Sequence, residues 1–316
     1  MVKVKWGILG YARIARLFTI PSILNSSNSE FYAIASRDED KLKECQEKYG
    51  CKKTYLSYDE LLCDPKVDAV YIPLPNSLHK EWVIKSVEKG KHVLCEKPIS
   101  INAKEAVEMK EASIKNNVKL MEGYMYRYTD RTKKLQEILD SGVIGDIKYI
   151  NSTFRFFLDR ENTIKMKAEL GGGSIYDVGC YPLNFVGMIM DEKPISISAE
   201  YVDQDSVDIM FTGTLRYKDG VIAVINSGFN AYDRNHSEII GTKGIIEIPD
   251  TFLGNAGTIT ITTEEGKKEV VVEESERYQL EIEDFADAII NNREFHMNFD
   301  DSIRDMEILD RLIALR

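Results

Sequence analysis

The amino-acid sequence predicts an α/β fold in two domains. Its 316 residues exceed what one ordinary hydrophobic core holds. Strand patterns alternate with helical patterns over about the first 120 residues, which is typical of a right-handed parallel sheet, and strand patterns dominate later. We expect residues 1–122 to form a Rossmann dinucleotide-binding domain with a doubly wound parallel sheet. Residues 123–316 are expected to form an α+β second domain in which strands dominate.

Composition limits the function classes. Hydrophobic residues make up 43% of the chain and charged residues 29%, as in globular proteins, and the formal net charge is -11. Nucleic acid and anionic membranes would repel such a chain, so neither is an expected partner. The five cysteines form no C-x-x-C pair and no metal-ligand spacing with the four histidines, so we expect idle thiols and no metal. The N-terminus enters a strand pattern without an apolar leader, which predicts a cytoplasmic protein.

The first predicted strand leads into a glycine turn. Apolar residues at every second position from Val2 to Ile8 indicate the strand. The turn has the position of the G-x-G-x-x-G/A fingerprint, in which small residues let a pyrophosphate approach a helix N-terminus. Gly10 is a glycine, whereas Ala12 stands in place of the second one. The predicted cofactor-binding residues of this turn are Gly10, Tyr11, Ala12, Arg13 and Ile14.

The second predicted strand, Phe31–Ala35, ends where a Rossmann sheet contacts the adenosine ribose. Ser36 and Arg37 stand there in place of the acidic residue that would accept the ribose hydroxyls of NAD. Because an arginine accommodates a 2′-phosphate, the sequence favours NADP over NAD. Two alternatives stay open. Arg37 could cap a solvated loop, and Asp38, one position later, leaves room for NAD.

A further strand pattern places candidate residues on the same sheet edge. It runs from Asp68, breaks at Pro73 and Pro75, and is followed by a helical pattern after His79. Since the carboxyl ends of parallel strands meet at one edge, Pro73, Pro75 and Asn76 are expected near the glycine turn. His79 is expected to start the helix and line the pocket rather than to act as an acid or base.

The stretch Gly90–Pro98 carries the first candidate for chemistry. Its apolar strand core ends in Glu96, Lys97 and Pro98, so charged groups stand where open α/β sheets bind ligands. Lys97 has three hydrogen-bond donors, which can bridge a cofactor ribose and a substrate hydroxyl, and a lysine releases its proton when its pKa is lowered. The alternative is a salt bridge between Glu96 and Lys97 at the strand end.

These stretches resemble the glucose-fructose oxidoreductase and inositol dehydrogenase (Gfo/Idh/MocA) family. The matching stretches are Trp6–Gly10, Ile72–His79, Gly90–Pro98 and Gly171–Tyr181. These stretches are distributed along the first two-thirds of the chain in the order typical of the family, and the Glu-Lys-Pro block is the most specific of them. The resemblance implies that the Rossmann domain is followed, at residues 123–316, by a substrate-binding and oligomerisation domain with a large open, mainly antiparallel sheet. It implies hydride exchange between a nicotinamide cofactor and a carbohydrate-like alcohol. It also implies that Lys97 contacts both the nicotinamide ribose and the substrate.

The chain departs from the family pattern in the glycine turn, where Ala12 replaces the usual second glycine. Family members carry an arginine near the position of Arg127 that faces the cofactor, and the alternative for Arg127 is a surface ion pair. We expect the Lys97–Pro98 peptide bond to be cis, because bonds preceding proline tolerate that isomer and it would fix where the ammonium points.

The glycine-rich stretch in the second domain precedes a predicted helix with Ser174 as its N-cap. Asp177 and Tyr181 are four residues apart, so they are expected on one helix face, where they could share a substrate hydroxyl. The resemblance implies that Tyr181 transfers the proton, in the manner of sugar oxidoreductases and dihydrodiol dehydrogenases. Lys97 would lower the tyrosine pKa from its ordinary value of about 10. The alternative is a buried Tyr–Asp hydrogen bond in the core.

The remaining sequence predicts a sheet of about six to nine strands. Such a sheet must be covered, in part by helices and in part by another subunit, so we expect a homodimer or homotetramer formed through it. An amphipathic helix is expected from Tyr278 to Ile289, and a final one begins behind Asp300 or Ser302 as its cap.

These observations predict an NADP-preferring dehydrogenase or reductase acting on a secondary alcohol of a sugar, polyol or dihydrodiol. Tyr181 is the expected acid–base group, Lys97 polarises the oxygen, and Asp177 orients the substrate. Two alternatives are a non-catalytic NADP-binding regulator and a redox-assisted glycosidase with a tightly held cofactor. The loop from Leu158 to Leu170 is expected to set specificity but has no readable code.

Overall fold

The computed structural model describes residues 2–160 and 163–316, and the chain divides into two compact units. The first unit comprises residues up to Met125 together with Glu276–Ser302, and the second comprises Tyr126–Ser275 and residues 303–316. Within these described ranges, no helix has both the length and the apolar character needed to cross a membrane.

The first unit is built on a sheet of six parallel strands in the order β3-β2-β1-β4-β5-β6. The strands are β1 (Val4–Leu9), β2 (Ser29–Ala35), β3 (Lys53–Tyr55), β4 (Ala69–Ile72), β5 (His92–Glu96) and β6 (Leu120–Gly123). The strand order reverses beside β1, and ligands of doubly wound sheets bind at the carboxyl ends of strands around such a switch point. The predicted Rossmann architecture is confirmed.

Helices cover both faces of this sheet. They are α1 (Ile20–Asn25), α2 (Glu39–Tyr49), α3 (Tyr58–Leu62), α4 (His79–Glu88), α5 (Ala103–Lys115) and, later in the chain, α8 (Arg277–Ile290). Local signals explain their ends. Asp38 caps α2 by accepting a hydrogen bond from the Lys41 N–H at 3.2 Å, and Gly50 ends the helix with a left-handed φ of 68°.

Helix α8 belongs to the first unit although it follows the second sheet in the chain. Phe285 of α8 packs against Trp6 of β1 with a ring-centroid distance of 5.1 Å, and both side chains are fully buried. The apolar stripe of α8 is therefore part of the core that covers the parallel sheet. From the sequence this segment is expected in the second domain, residues 123–316, since no local signal tells which sheet an amphipathic helix covers.

The second unit contains an eight-stranded sheet in the order β14-β13-β12-β11-β7-β10-β9-β8. The strands are β7 (Ile147–Phe157), β8 (Ser196–Gln204), β9 (Val207–Arg216), β10 (Ile222–Gly228), β11 (Asn230–Gly241), β12 (Gly244–Pro249), β13 (Gly257–Thr263) and β14 (Gly266–Val272). Neighbours pair antiparallel except for β7 and β10, which are parallel. The predicted large, mainly antiparallel sheet is thus confirmed.

The two faces of this sheet differ in character. Along β7, Ile150, Ser152 and Phe154 are buried on one face, where α7 (Cys180–Met190) packs. Their neighbours Asn151 and Thr153 are half-buried on the opposite face. The alternation follows from the two-residue period of a strand, and it leaves the second face polar and partly open.

The last helix begins earlier than predicted. The remaining helices are α6 (Asp130–Asp140) and α9 (Phe299–Ile313). Asp300 and Ser302 therefore lie inside α9, and the prediction that one of them is the N-cap is wrong. Asn298 lies just before the helix, and its side-chain oxygen accepts a hydrogen bond from the Asp300 N–H at 3.0 Å.

Candidate active site

The glycine turn after β1 is shaped for close approach of a ligand to the backbone. Gly10 has a φ of 103°, a conformation that side chains rarely adopt. A Cβ atom at Gly10 would lie 3.3 Å from both the Tyr58 hydroxyl and Leu74 Cδ2. The Gly10 N–H donates to the Ala35 carbonyl at 2.8 Å, which fixes the turn against β2. The turn therefore fits a pyrophosphate in the manner of a dinucleotide fingerprint.

The residues after Gly10 lead into a helix whose first part, Ala15–Thr19, is π-helical before α1 begins. Tyr11, Ala12 and Ile14 are half-buried and Arg13 is exposed. The Tyr11 hydroxyl donates to Glu44 Oε1 at 3.2 Å. Burial, with Cys45 and Glu44 nearby, raises the pKa of Tyr11 well above its ordinary value, so its hydroxyl stays protonated.

Three polar residues, Ser36, Arg37 and Asp38, directly follow β2 and differ in their burial and contacts. Ser36 is buried, and its hydroxyl accepts the Asp38 N–H at 3.2 Å. The Asp38 carboxylate caps α2 and also lies 3.2 Å from the Lys41 ammonium, and the hydrogen bond from the Lys41 N–H is the main cause of its lowered pKa. Arg37 is exposed. The carboxylate that would accept the ribose hydroxyls of NAD is thus engaged by its own helix.

His79 joins two loops at the carboxyl edge. After β4 the chain passes through Pro73 and Pro75 into a 3-10 turn, Asn76–Leu78, and α4 starts at His79 as predicted. The ring of His79 is fully buried, with Nδ1 2.9 Å from the Pro98 carbonyl oxygen and Nε2 2.9 Å from the Leu74 carbonyl oxygen. Burial lowers its pKa, so the ring is a fixed link between loops rather than an acid.

The segment that carries Lys97 is fixed on both sides. The Lys97–Pro98 peptide bond is cis, as predicted. Before it, the Tyr71 hydroxyl donates to Glu96 Oε1 at 2.5 Å; after it, the Ile99 N–H donates to Glu122 Oε1 at 2.8 Å. Burial raises the pKa of Glu96, while the Lys97 ammonium and the Tyr71 hydroxyl oppose that rise. The lysine thus extends from a rigid base, as a group that must meet a reacting atom requires.

The start of the helical segment that carries Asp177 and Tyr181 differs from the prediction. The Ser174 side chain makes no N-cap hydrogen bond, so that prediction is wrong. Its hydroxyl donates instead to Asp208 Oδ2 at 2.6 Å, and the same oxygen accepts the Ile175 N–H at 2.9 Å. A buried carboxylate from β9 therefore takes the place of the cap, and it is favoured at the positive end of a helix.

Asp208→Asn is expected to destabilise the fold by about 1–3 kcal/mol, because an amide lacks the charge and can turn a donor toward donors. Urea unfolding of the variant and the wild type measures the difference. Asp205→Asn, which changes an exposed aspartate of the same turn region, is the control. An unfolding free energy equal to the wild type's would contradict the capping role of Asp208.

The segment after Ser174 is a π-helix, Ile175–Gly179, followed directly by α7. Asp177 lies in the π-helical part and forms an ion pair with Lys165. Lys165 also lies over the Phe156 ring, 5.6 Å from its centroid. No sequence signal identifies Lys165 as a site residue, although Lys165 falls in the predicted specificity stretch Leu158–Leu170. Residues 161 and 162 of that stretch lie outside the described residues.

Tyr181 is held by an aromatic cluster. Its ring is buried, with centroid distances of 5.3 Å to Phe154, 5.4 Å to Phe252 and 6.0 Å to Tyr126. Arg127 is also buried and donates to Asn184 Oδ1 at 3.3 Å, and its Nε has no partner among the described residues. Arg127 is therefore not part of a surface ion pair, which removes the alternative given for it.

The described part of the chain holds no group of three or more His, Cys, Asp or Glu residues arranged for a metal ion. All five cysteines are free thiols, of which only Cys63 is exposed.

The Rossmann sheet, the glycine turn and the lysine at the end of β5 define, as a class, a nicotinamide-nucleotide oxidoreductase. Comparison with known proteins makes this specific. Residues 4–124 match the family model described as oxidoreductase family, NAD-binding Rossmann fold, and residues 132–247 match the GFO/IDH/MocA C-terminal domain. The chain belongs to the GFO/IDH/MocA family and is an NAD(P)-dependent oxidoreductase.

Relatives of full length support this placement. The chain is 32% identical to D-xylose 1-dehydrogenase (NADP(+)) 2 of Haloferax volcanii over 97% of this chain and 95% of that protein. It is 34% identical to trans-1,2-dihydrobenzene-1,2-diol dehydrogenase of Xenopus laevis over 84% of this chain and 81% of that protein. Its structure is similar to that of a 3-ketoreductase from Actinomadura kijaniata in complex with NADP and TDP-benzene. The TM-score is 0.91 at 26% identity, covering 99% of this chain and 97% of that chain.

Proposed function

We propose that this oxidoreductase prefers NADP and interconverts a secondary alcohol and a carbonyl on a sugar, polyol or dihydrodiol. The named activities of the xylose and dihydrodiol dehydrogenases support this substrate class. The observation that carries the proposal is the fixed segment at the end of β5, in which hydrogen bonds from Tyr71 and to Glu122 flank Lys97. Such fixation suits a group that must meet a reacting oxygen.

The proposed catalytic residues have separate roles in proton transfer and in polarising the substrate oxygen. The bound nicotinamide supplies or accepts the hydride. Lys97 polarises the substrate oxygen with its ammonium, and Tyr181 gives or takes the hydroxyl proton. Asp177 orients the substrate, and its ion pair with Lys165 holds the carboxylate in place.

The proposed cofactor site lies along the carboxyl edge of the parallel sheet. The pyrophosphate would rest on the backbone of the turn at Gly10, and Arg37 would bind the 2′-phosphate. His79 contributes by fixing the loops after β4 and β5. The full set of proposed cofactor-binding residues is Gly10, Tyr11, Ala12, Arg13, Ile14, Ser36, Arg37, Pro73, Pro75, Asn76, His79, Glu96, Lys97 and Arg127.

Arg37→Ala is expected to weaken NADPH binding by about 10- to 100-fold, the value of a lost hydrogen bond to a charged group, and to leave NADH binding unchanged. Only NADPH carries the 2′-phosphate that the guanidinium would contact. Fluorescence titration of the cofactor-stripped protein with NADPH and NADH, side by side, measures both affinities.

Lys43→Ala is the matched control for this titration, because it removes one exposed positive charge from the neighbouring helix α2. A similar loss of NADPH affinity in both variants would reduce the effect to general electrostatics. Equal binding of NADPH and NADH by the wild type would shift the cofactor preference to NAD or to dual use. If the wild type binds neither, the enzymatic function proposed here is refuted.

We further propose a cytoplasmic homodimer or homotetramer formed through the eight-stranded sheet. Helix α7 packs on one face of this sheet, and the opposite face, at Asn151 and Thr153, is only partly covered, which leaves it available to a second subunit. Analytical ultracentrifugation measures the mass in solution. A monomer at micromolar concentration would refute the oligomer.

A further inference from the structure

Two carboxyl groups meet over a glycine at the carboxyl edge of the parallel sheet. Glu96 ends β5, Gly123 ends β6, and Glu281 lies on α8, all within the first unit. A Cβ atom placed on Gly123 would lie 3.7 Å from Glu96 Oε1 and 3.7 Å from Glu281 Oε1. The two carboxyl groups therefore border one small space, and Lys97 follows one of them directly.

The surroundings of the two carboxyl groups differ. Glu96 Oε1 accepts the hydrogen bond from Tyr71, and Lys97 supplies a positive charge beside it. Glu281 is only 3% exposed, and its Oε1 has no hydrogen-bond partner among the described residues. A buried carboxylate oxygen without a donor is costly, and protonation of the carboxyl removes the charge that makes it so.

The charges that face Glu281 support the same conclusion. On its own helix, Asp284 is negative and Arg277 positive, and Glu96 faces it from the sheet, where Lys97 and Tyr71 act on Glu96. Burial raises the pKa of Glu281 well above its ordinary range, Glu96 and Asp284 raise it further, and Arg277 opposes them. Two carboxylates that share a buried site cannot both ionise readily, so one proton belongs to the pair.

We propose that Glu281 keeps this proton in the working enzyme and is a positioning residue for Lys97, so that Glu96 is the only anion of the pair beside the ammonium. This inference rests on the role proposed for Lys97. When the proton leaves to solvent at higher pH, a second anion forms beside Glu96, the carboxylate that adjoins Lys97. The ammonium is then held more strongly by the carboxyl pair and is less available to the substrate oxygen.

The protonation of Glu281 can be tested without turnover. Glu281→Gln replaces the protonated acid with a neutral group of the same shape, and Glu283→Gln, on the same helix but only half-buried, is the matched control. At neutral pH, the infrared spectra of the wild type and of Glu283→Gln should show the band of a protonated carboxylic acid. The spectrum of Glu281→Gln should lack this band. A band of equal intensity in all three proteins would overturn the proposal.

Stability against pH gives a second test with a defined sign. A carboxyl group with a raised native pKa binds more protons folded than unfolded above the unfolded value of about 4.3, so stability falls as pH rises. Glu281→Gln should therefore gain in melting temperature relative to the wild type between about pH 5 and pH 8, and Glu283→Gln should not. Parallel curves for wild type and Glu281→Gln would refute the retained proton. Glu281→Met gives the same comparison should the glutamine variant not fold.

The pH profile of turnover tests the link to Lys97. Once the substrate is known, kcat of the wild type should decline on the alkaline side, and Glu281→Gln should shift that decline to higher pH. A purely structural residue would change kcat equally at every pH, and that result would overturn the positioning role. The spectra and melting curves use no substrate, so they decide the retained proton even if the proposed reaction is refuted by the cofactor titration.

Discussion

Lys97→Met is expected to lower kcat by about 10²- to 10⁴-fold, the usual contribution of a positioned group that polarises or transfers a proton. Methionine keeps the unbranched stem but removes the ammonium. The hydrogen bonds that fix the segment, from Tyr71 to Glu96 and from Ile99 to Glu122, do not use the lysine head group, so the segment should keep its shape. Steady-state kinetics on a converted sugar or diol measures the loss.

Cofactor binding separates a catalytic role of Lys97 from a structural one. NADPH affinity of Lys97→Met should stay close to that of the wild type, because the phosphates supply most of the charge that the protein binds. Lys89→Met, which removes an exposed ammonium after α4, is the matched control and should keep full activity. Turnover of Lys97→Met near the wild-type rate would refute the role assigned to this residue.

The elements that the sequence predicted correctly are those with local signals. Pro73 and Pro75 interrupt a strand pattern shortly before His79, and α4 begins at His79 as expected, because such breaks act on their own stretch of chain. The Lys97 segment was found because a buried strand that ends in charged residues needs no distant partner to be recognised. Local signals therefore indicated that Lys97 directly follows a buried strand of the parallel sheet.

What the sequence did not indicate depends on residues distant in the chain. The cap of the helical segment after Ser174 is Asp208, which is contributed by a strand that follows 34 positions later. Glu281 meets Glu96 only because α8 returns to the first unit after the second sheet. Lys165 pairs with Asp177 across a loop with no regular pattern. Such contacts are fixed by tertiary packing, which periodicity does not encode.

Tyr181→Phe is the second variant with a large expected effect. Its kcat should fall by about 10²- to 10⁴-fold, because phenylalanine cannot give or take the hydroxyl proton. The ring would remain packed against Phe154 and Phe252, so the loss in unfolding free energy should be limited to that of one hydrogen bond, about 0.5–1.5 kcal/mol. Kinetics and urea unfolding of the same preparation measure the two effects.

Tyr126→Phe is the control that makes the tyrosine result decisive. Tyr126 belongs to the same aromatic cluster, and its hydroxyl donates to Asn184 Oδ1 at 2.6 Å. Removing that hydroxyl should cost stability but leave the acid–base step intact. If both variants lost kcat to the same extent, the loss would reflect disturbed packing, and Tyr181 would be a core tyrosine. A loss of kcat confined to Tyr181→Phe, with NADPH binding retained, is the result that proton transfer by this hydroxyl requires.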